Sequence, residues 1–211
     1  MGNRMLNALL NDIFQRVLTF NKLEQKANLS NKLGSLALKP GTKCIDFGCG
    51  TGLFAGVFAG RGFRYYGYDI DRGLIDYANR LYRSDSCAFT DSIAYLNEQA
   101  PFGLIMANCC FHHIDDAIIN KVLEDIRGIL ADDGVFLLID ILFAENDPSV
   151  LRGLFRKLER GAHIRKAEDY RKIAEKVFTV TDSSVERSHL FSLKGIPVYN
   201  DLVFLTCRNK K

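Results

Sequence analysis

Tryptophan is absent from the chain, and no apolar run approaches the roughly 20 residues that cross a bilayer. The longest, Val135 to Ala144, is interrupted by Asp140. No transmembrane span is therefore expected. The start, Met1-Gly-Asn-Arg-Met-Leu6, lacks the continuous apolar core of a secretory leader. It also carries Leu6 where an N-myristoylation signal needs Ser or Thr. A strong charge of either sign is missing too: 28 Lys and Arg against 25 Asp and Glu leave +3. That is too weak a balance for a protein that holds nucleic acid through phosphate contacts. The six cysteines, at 44, 49, 87, 109, 110 and 207, contain no CxxC pair. Neither a zinc site nor a disulfide framework is expected, and reduced thiols point to the cytoplasm.

What is present describes one globular domain. At 211 residues, 47% hydrophobic and 25% charged, the chain can close one α/β core and hardly two. Leu6, Leu9, Leu10, Ile13, Phe14 and Val17 follow helical spacing, and residues 1–38 are expected to form a helical cap. After the turn Lys39-Pro-Gly-Thr42, short apolar runs alternate with helix-like stretches. Strands are predicted at about Lys43 to Phe47, Tyr65 to Tyr68, Ser86 to Phe89, Phe102 to Ala107 and Val135 to Ile141. This alternation calls for a doubly wound parallel sheet over a core at 43–141. Ile118, Ile119, Val122, Leu123, Ile126, Ile129 and Leu130 mark an amphipathic helix ended by the turn Ala131-Asp-Asp-Gly134. The last part, 167–211, reads as a helix from Ala167 to Lys176 and then two strands without an intervening helix. Phe178 to Glu186 and Leu202 to Cys207 should accordingly pair antiparallel.

The chemistry-bearing feature is Asp46-Phe-Gly-Cys-Gly-Thr-Gly52, a strand that runs into closely spaced glycines and then a helix. Missing side chains let a ligand approach the backbone at the mouth of a parallel sheet. About 20 residues on, Gly67-Tyr-Asp69-Ile-Asp71 ends the next strand, where a carboxylate can accept hydrogen bonds from ribose hydroxyls. The spacing suits a nucleoside cofactor. Gly50-Thr-Gly52-Leu-Phe-Ala55 also satisfies the dinucleotide pattern, so a nicotinamide-dependent oxidoreductase is one alternative and a non-catalytic binding scaffold another. Asp46 weighs against a pyrophosphate by charge and can pair with the ammonium of a methionine moiety.

In this setting Cys44-Ile-Asp-Phe-Gly-Cys-Gly-Thr-Gly52 resembles the first motif of class I S-adenosylmethionine-dependent methyltransferases. Four further segments are similar to that family's later motifs, in its order: Gly67 to Asp71, Phe89-Thr-Asp91-Ser, Phe102 to Asp116, and Leu130 to Gly134. The resemblance covers about Lys43 to Ile141 and extends broadly to ubiquinone and menaquinone biosynthesis methyltransferases. It implies a Rossmann-like seven-stranded sheet in the order 3-2-1-4-5-7-6 with strand 7 antiparallel, and S-adenosyl-L-methionine as the methyl donor. It further implies that Gly48, Gly50 and Gly52 line the methionine end, Asp69 binds ribose, Ile70 packs on adenine, Asp91 takes the adenine amino group, and Asn108 lies beside the methionine. Gly103 departs from the family's usual Phe-Asp-Leu-Ile sequence.

Methyl transfer from a sulfonium is an in-line displacement, so aligning the acceptor and excluding water are the main tasks. His112 or His113, just past the fourth strand, could serve as base. Adjacent Cys109 and Cys110 are read as packing residues, because no charged neighbour in sequence would activate a thiol. Asn108-Cys-Cys-Phe111 differs from the Asn/Asp-Pro-Pro-aromatic motif of nucleic-acid amino-methyltransferases, which leaves small-molecule or lipid-like acceptors. The segment 142–166 is expected to be a basic amphipathic lid. Val150, Leu151, Leu154, Phe155 and Leu158 lie on one face; Arg152, Arg156, Lys157 and Arg160 lie elsewhere, followed by His163, Arg165 and Lys166. Residues 150–166 would suit an acidic acceptor or transient contact with an anionic membrane. Sequence leaves monomer and homodimer equally open.

Overall fold

The computed structural model describes residues 23–142, 163–193 and 196–210. Helix α1 covers 23–35 and is followed by β1 (Lys43–Phe47), α2 (Ala55–Ala59), β2 (Arg64–Tyr68) and α3 (Arg72–Tyr82). Next come β3 (Cys87–Thr90), α4 (Ile93–Gln99), β4 (Phe102–Asn108), a 3-10 turn at Phe111–His113 and α5 (Asp116–Ile129). The chain closes with β5 (Leu130–Ile141), α6 (Ala167–Val177), β6 (Phe178–Leu193) and β7 (Ile196–Asn209). The seven strands form one sheet in the order β3-β2-β1-β4-β5-β7-β6, with β7 antiparallel to both neighbours, as expected. The predicted helix at Leu6 to Val17 and most of the predicted lid lie outside the described residues.

Alternation along the central strands builds a core on each face. Ile45, Ile105, Phe136, Leu138 and Leu205 pack with α5 and α6, while Cys44, Leu104, Met106, Leu137 and Phe204 pack with α1 to α3. Strands covered on both sides need near-continuous apolar sequence, and β4 and β5 supply it. In α5, Ile119, Leu123, Ile126 and Ile129 recur on one face and are buried. Asp115 caps that helix by accepting from the Ala117 N–H at 2.8 Å.

Two local details differ from the sequence expectation. The Ala131 to Gly134 turn is absorbed into β5: Leu130 pairs with Phe102 and Val135 with Leu104, so the extra residues bulge from the ladder. The terminal hairpin is also longer than its apolar pattern, continuing to Leu193 and resuming at Ile196. Gly103 has a packing reason, since a Cβ there would lie 2.6 Å from Thr42 Cγ2.

Candidate active site

The glycine loop leaves β1 and is tied to the end of β2. The N–H groups of Gly48 and Cys49 both donate to the Tyr68 carbonyl, at 2.8 and 2.9 Å. Gly48, Gly50 and Gly52 all have positive φ, at 79°, 52° and 78°, where side chains are disfavoured. Their surroundings differ. A Cβ on Gly48 would stand 2.6 Å from Cys110 Cβ, and one on Gly52 2.7 Å from the Phe89 ring, so these two are excluded by protein packing. A Cβ on Gly50 would meet no protein atom within 4 Å. The tip of the loop thus presents bare backbone to open space.

Asp69 stands beside that tip. Its Oδ2 accepts from the Gly50 N–H at 2.9 Å and its Oδ1 from the Asp71 N–H at 3.0 Å, so the carboxylate both braces the loop and stays at its rim. Each oxygen keeps a second lone pair for a ligand hydroxyl. Ile70 is 86% exposed, a large apolar side chain at the end of a core strand with no protein cover. Asp91 is exposed at the end of β3. Ser92, and not Asp91, caps α4, accepting from the Tyr95 N–H at 3.2 Å, which leaves the Asp91 carboxylate out of the helix terminus.

Asp46 lies where the sequence did not place it. It is 2% exposed, below the loop and facing β2, where it accepts from the Tyr65 hydroxyl at 2.8 Å. Burial pushes its carboxyl up to about 7; the Tyr65 bond opposes this and the Asp69 charge adds to it. Near neutrality Asp46 is only partly charged, so its repulsion of a pyrophosphate is a weaker discriminator than the sequence suggested.

A cavity of about 320 Å³ opens between α1, the ends of β4 and β5, and the β6–β7 hairpin, and reaches Leu53 and Phe54 after the loop. Asn108, Cys109, His112 and His113 line its base. Leu29, Phe54, Leu202 and Phe204 supply apolar wall, with Asn28 and Asn200 as amide groups and Glu186 and Arg187 as charged ones. The size lies at the lower end for small-molecule sites. Cys109, at φ 52°, turns the chain sharply off β4 and donates its N–H to the Ile139 carbonyl at 2.8 Å. The Cys110 thiol donates to the Phe47 carbonyl at 3.2 Å, and burial pushes its pKa well above the ordinary value, consistent with packing.

Two participants were missed by sequence reading. Asp140, noticed only as a break in an apolar run, is 0% exposed and contacts His112 through both carboxylate oxygens. Its signal was available: an acid inside a buried strand is costly unless paired. Arg165, read as a lid cation, is 8% exposed and spans the turn after β4. Its guanidinium donates to the Phe111 and Ile114 carbonyls at 2.9 and 2.8 Å, pairs with Asp116, and lies 5.7 Å from the Tyr170 ring centroid. The neighbouring His163 N–H donates to the His112 carbonyl at 3.0 Å, so residues 163–165 brace the histidine turn.

Comparison with known proteins agrees with this architecture. A family model described as a methyltransferase domain matches residues 10–180. No curated protein sequence matches the chain. Among solved structures, an S-adenosylmethionine-dependent methyltransferase from Anabaena variabilis has 18% identity and a TM-score of 0.70, covering 90% of this chain and 86% of its own. A putative methyltransferase from Bacillus halodurans has 16% identity and a TM-score of 0.66 over 88% of this chain and 100% of its own. The mycolic acid cyclopropane synthase CmaA1, complexed with SAH and CTAB, has 19% identity and a TM-score of 0.67, covering 87% and 83%. With the family match spanning most of its length and the strand order in place, the chain belongs to the methyltransferase domain family and has the class I S-adenosylmethionine-dependent methyltransferase fold.

Proposed function

We propose that the protein transfers the methyl group of S-adenosyl-L-methionine to a small-molecule or lipid-like acceptor held in the cavity beside His112 and His113. The observation that carries this reading is the junction of two spaces at one sheet edge. Gly50 offers open backbone beside Asp69 and exposed Ile70, and the cavity lined by Asn108 also reaches Leu53 and Phe54, which follow the loop. The residues suit the donor. Asp69 would take the ribose hydroxyls, Ile70 would cover one adenine face, and Asp91 would accept from the adenine amino group. Gly48, Gly50 and Gly52 allow close approach of the methionine portion, and Asn108 would meet it from the end of β4. Asp46, buried beneath the loop and hydrogen-bonded to Tyr65, would support the loop from below in place of the direct ammonium pairing expected from the sequence.

When bound, the donor supplies an electrophilic methyl on a sulfonium. The chain's own part is to align an acceptor in the cavity, whose lining joins the apolar Leu29, Phe54, Leu202 and Phe204 to the charged Glu186 and Arg187, and to hold the loop rigid through Tyr68 and Asp69. The lipid-like option draws support from the CTAB complex of CmaA1, whose fold this chain shares. Among the described residues no helix is long and apolar enough to cross a membrane.

Gly50→Ala separates this reading from a bare scaffold. The added methyl meets no protein atom within 4 Å, so the cost to folding is only the left-handed backbone strain, about 1 kcal/mol. Calorimetry should find S-adenosylhomocysteine binding by the native protein and at least about a tenfold loss in the variant, equivalent to about 1.4 kcal/mol. Unchanged affinity would place the donor elsewhere. No binding by the native protein, or stabilisation by NAD instead, would reject the donor assignment altogether.

A further inference from the structure

Negative charge lies beneath the glycine loop with no protein cation to balance it. Asp46 stands two residues before Gly48, is 2% exposed, and accepts from the Tyr65 hydroxyl at 2.8 Å. Asp69 stands at the rim of the same loop, on the Gly50 N–H at 2.9 Å. The titratable groups around Asp46 are Tyr65 of β2, Asp69 just past its end, Cys49 of the loop and Cys110 beyond β4. Burial pushes both thiols and the Tyr65 hydroxyl up, so all three stay neutral. Helix α2, which follows the loop, is Ala-Gly-Val-Phe-Ala and brings no charge, and Met106 is the neighbour of Asp46 on β4. No lysine, arginine or histidine among the described residues acts on Asp46; the one other charge that does is Asp69, of the same sign. A buried carboxylate in that position is costly until a positive charge arrives.

We propose that Asp46 is the residue by which the site prefers the cationic methyl donor to its neutral product, its carboxylate being balanced by the donor's sulfonium and left unbalanced once the methyl has gone. This deepens the methyltransferase reading and rests on it. S-adenosylmethionine carries a sulfonium, an ammonium and a carboxylate, a net single positive charge. S-adenosylhomocysteine has a neutral thioether in place of the sulfonium and no net charge. Sealed from the surface, Asp46 is a specificity-determining residue that touches neither ligand. It acts through space, across protein in which a unit charge several ångströms away is weakly screened.

A proton follows the charge around the cycle. With its carboxyl pushed up to about 7, Asp46 is partly protonated near neutrality. Arrival of the cationic donor favours the carboxylate, and the proton leaves to water. On transfer the methyl passes to the acceptor and sulfur keeps the electron pair of the broken bond. The charge that held Asp46 ionised is then gone, and it takes a proton back from water. The neutral product gains nothing from the carboxylate and is held less tightly than the donor. The sign follows from the raised pKa: the carboxylate is present above about pH 7 and lost below it, so the preference for donor grows as pH rises through that value.

Calorimetry with S-adenosylmethionine and S-adenosylhomocysteine, without acceptor and in buffers of different ionisation enthalpy, reads both affinity and protons exchanged. The donor-to-product affinity ratio should rise about tenfold between about pH 5.5 and 8 in the native protein, and less than about twofold in Asp46→Asn. Near pH 7 the donor should release more protons from the native protein than from the variant, while the product should not. Subtracting the variant removes the titration of the donor's own amine. Tyr65→Phe keeps the ring but removes the hydrogen bond that lowers the Asp46 pKa, so the rise should move up by about one pH unit. That shift decides the matter should Asp46→Asn fail to fold, and a rise left in place by Tyr65→Phe would then overturn the proposal. A merely structural role would weaken donor and product alike in Asp46→Asn and leave the pH dependence of their ratio as in the native protein, which would also overturn it. Binding of both ligands by the native protein at a pH-independent ratio would reject the charge selection and spare the donor reading, whereas binding of neither would reject both.

Discussion

Arg165→Met is expected to lower the unfolding free energy by about 3 kcal/mol, measured by urea denaturation. The guanidinium satisfies the Phe111 and Ile114 carbonyls, and each buried acceptor left without a donor costs roughly 1–3 kcal/mol. Loss of its placement over Tyr170 adds to this. The ion pair with Asp116 contributes little, because that carboxylate is 73% exposed on its side chain and remains hydrated. Asp116→Asn should therefore change stability by less than about 1 kcal/mol and serves as the control. The histidine turn lies between the carbonyls that Arg165 holds, so turnover should fall further than donor affinity. A variant within 1 kcal/mol of the native protein would show that Arg165 is a surface cation after all.

The second large effect concerns pH. Asp46 has its folded pKa raised to about 7 from 3.8, chiefly by burial, against the usual direction for an acid. The folded state therefore binds this proton more tightly than the unfolded state. The stability that results is fully present below about pH 4 and is lost as the pH rises through 7. A rise from 3.8 to about 7 corresponds to roughly 4 kcal/mol between the two limits. Asp46→Asn removes the titrating group while its amide oxygen can still accept from Tyr65. Relative to the variant, the native protein should weaken progressively between pH 4 and 8 in thermal or urea melts. Parallel pH profiles for the two proteins would mean that Asp46 titrates normally.

Much of the fold was legible because the strands near the glycine loop are strongly patterned. The predicted β1 coincides with Lys43–Phe47, and β2, β3 and β4 begin and end within one residue of expectation. The errors have physical causes. Ala131 to Gly134 carries turn residues, but the neighbouring strand holds both ends of it and turns a loop into a bulge. Beyond Glu186 and before Leu202 the hairpin is polar, with Arg187, Ser188, Asn200 and Asp201, since it extends past the core and is held by backbone pairing.

Site residues divide along similar lines. The loop geometry of Gly48, Gly50, Gly52 and Asp69 was readable because it is local to a loop and a strand end. The partners of Asp46 and His112 depend on side chains brought together by the sheet, 19 and 28 residues away in sequence. Arg165 reversed its expected role for the same reason, since a cation 49 residues from Asp116 gives no sequence sign that it will be buried against that loop.

The position of β7 bears on how the protein is made. This strand, Ile196–Asn209, fills an interior place in the sheet between β5 and β6. During synthesis the open edge of β5 must wait for about 55 residues beyond its own end before its partner leaves the ribosome, and β6 has no sheet to join until then. The half that carries the glycine loop can order early, since β1 to β4 follow one another in sequence and make one contiguous part of the sheet, whereas the hairpin wall of the cavity arrives last. A nascent chain stalled before β7 would already hold its glycine loop, yet it would expose a long aggregation-prone edge and lack one wall of the cavity.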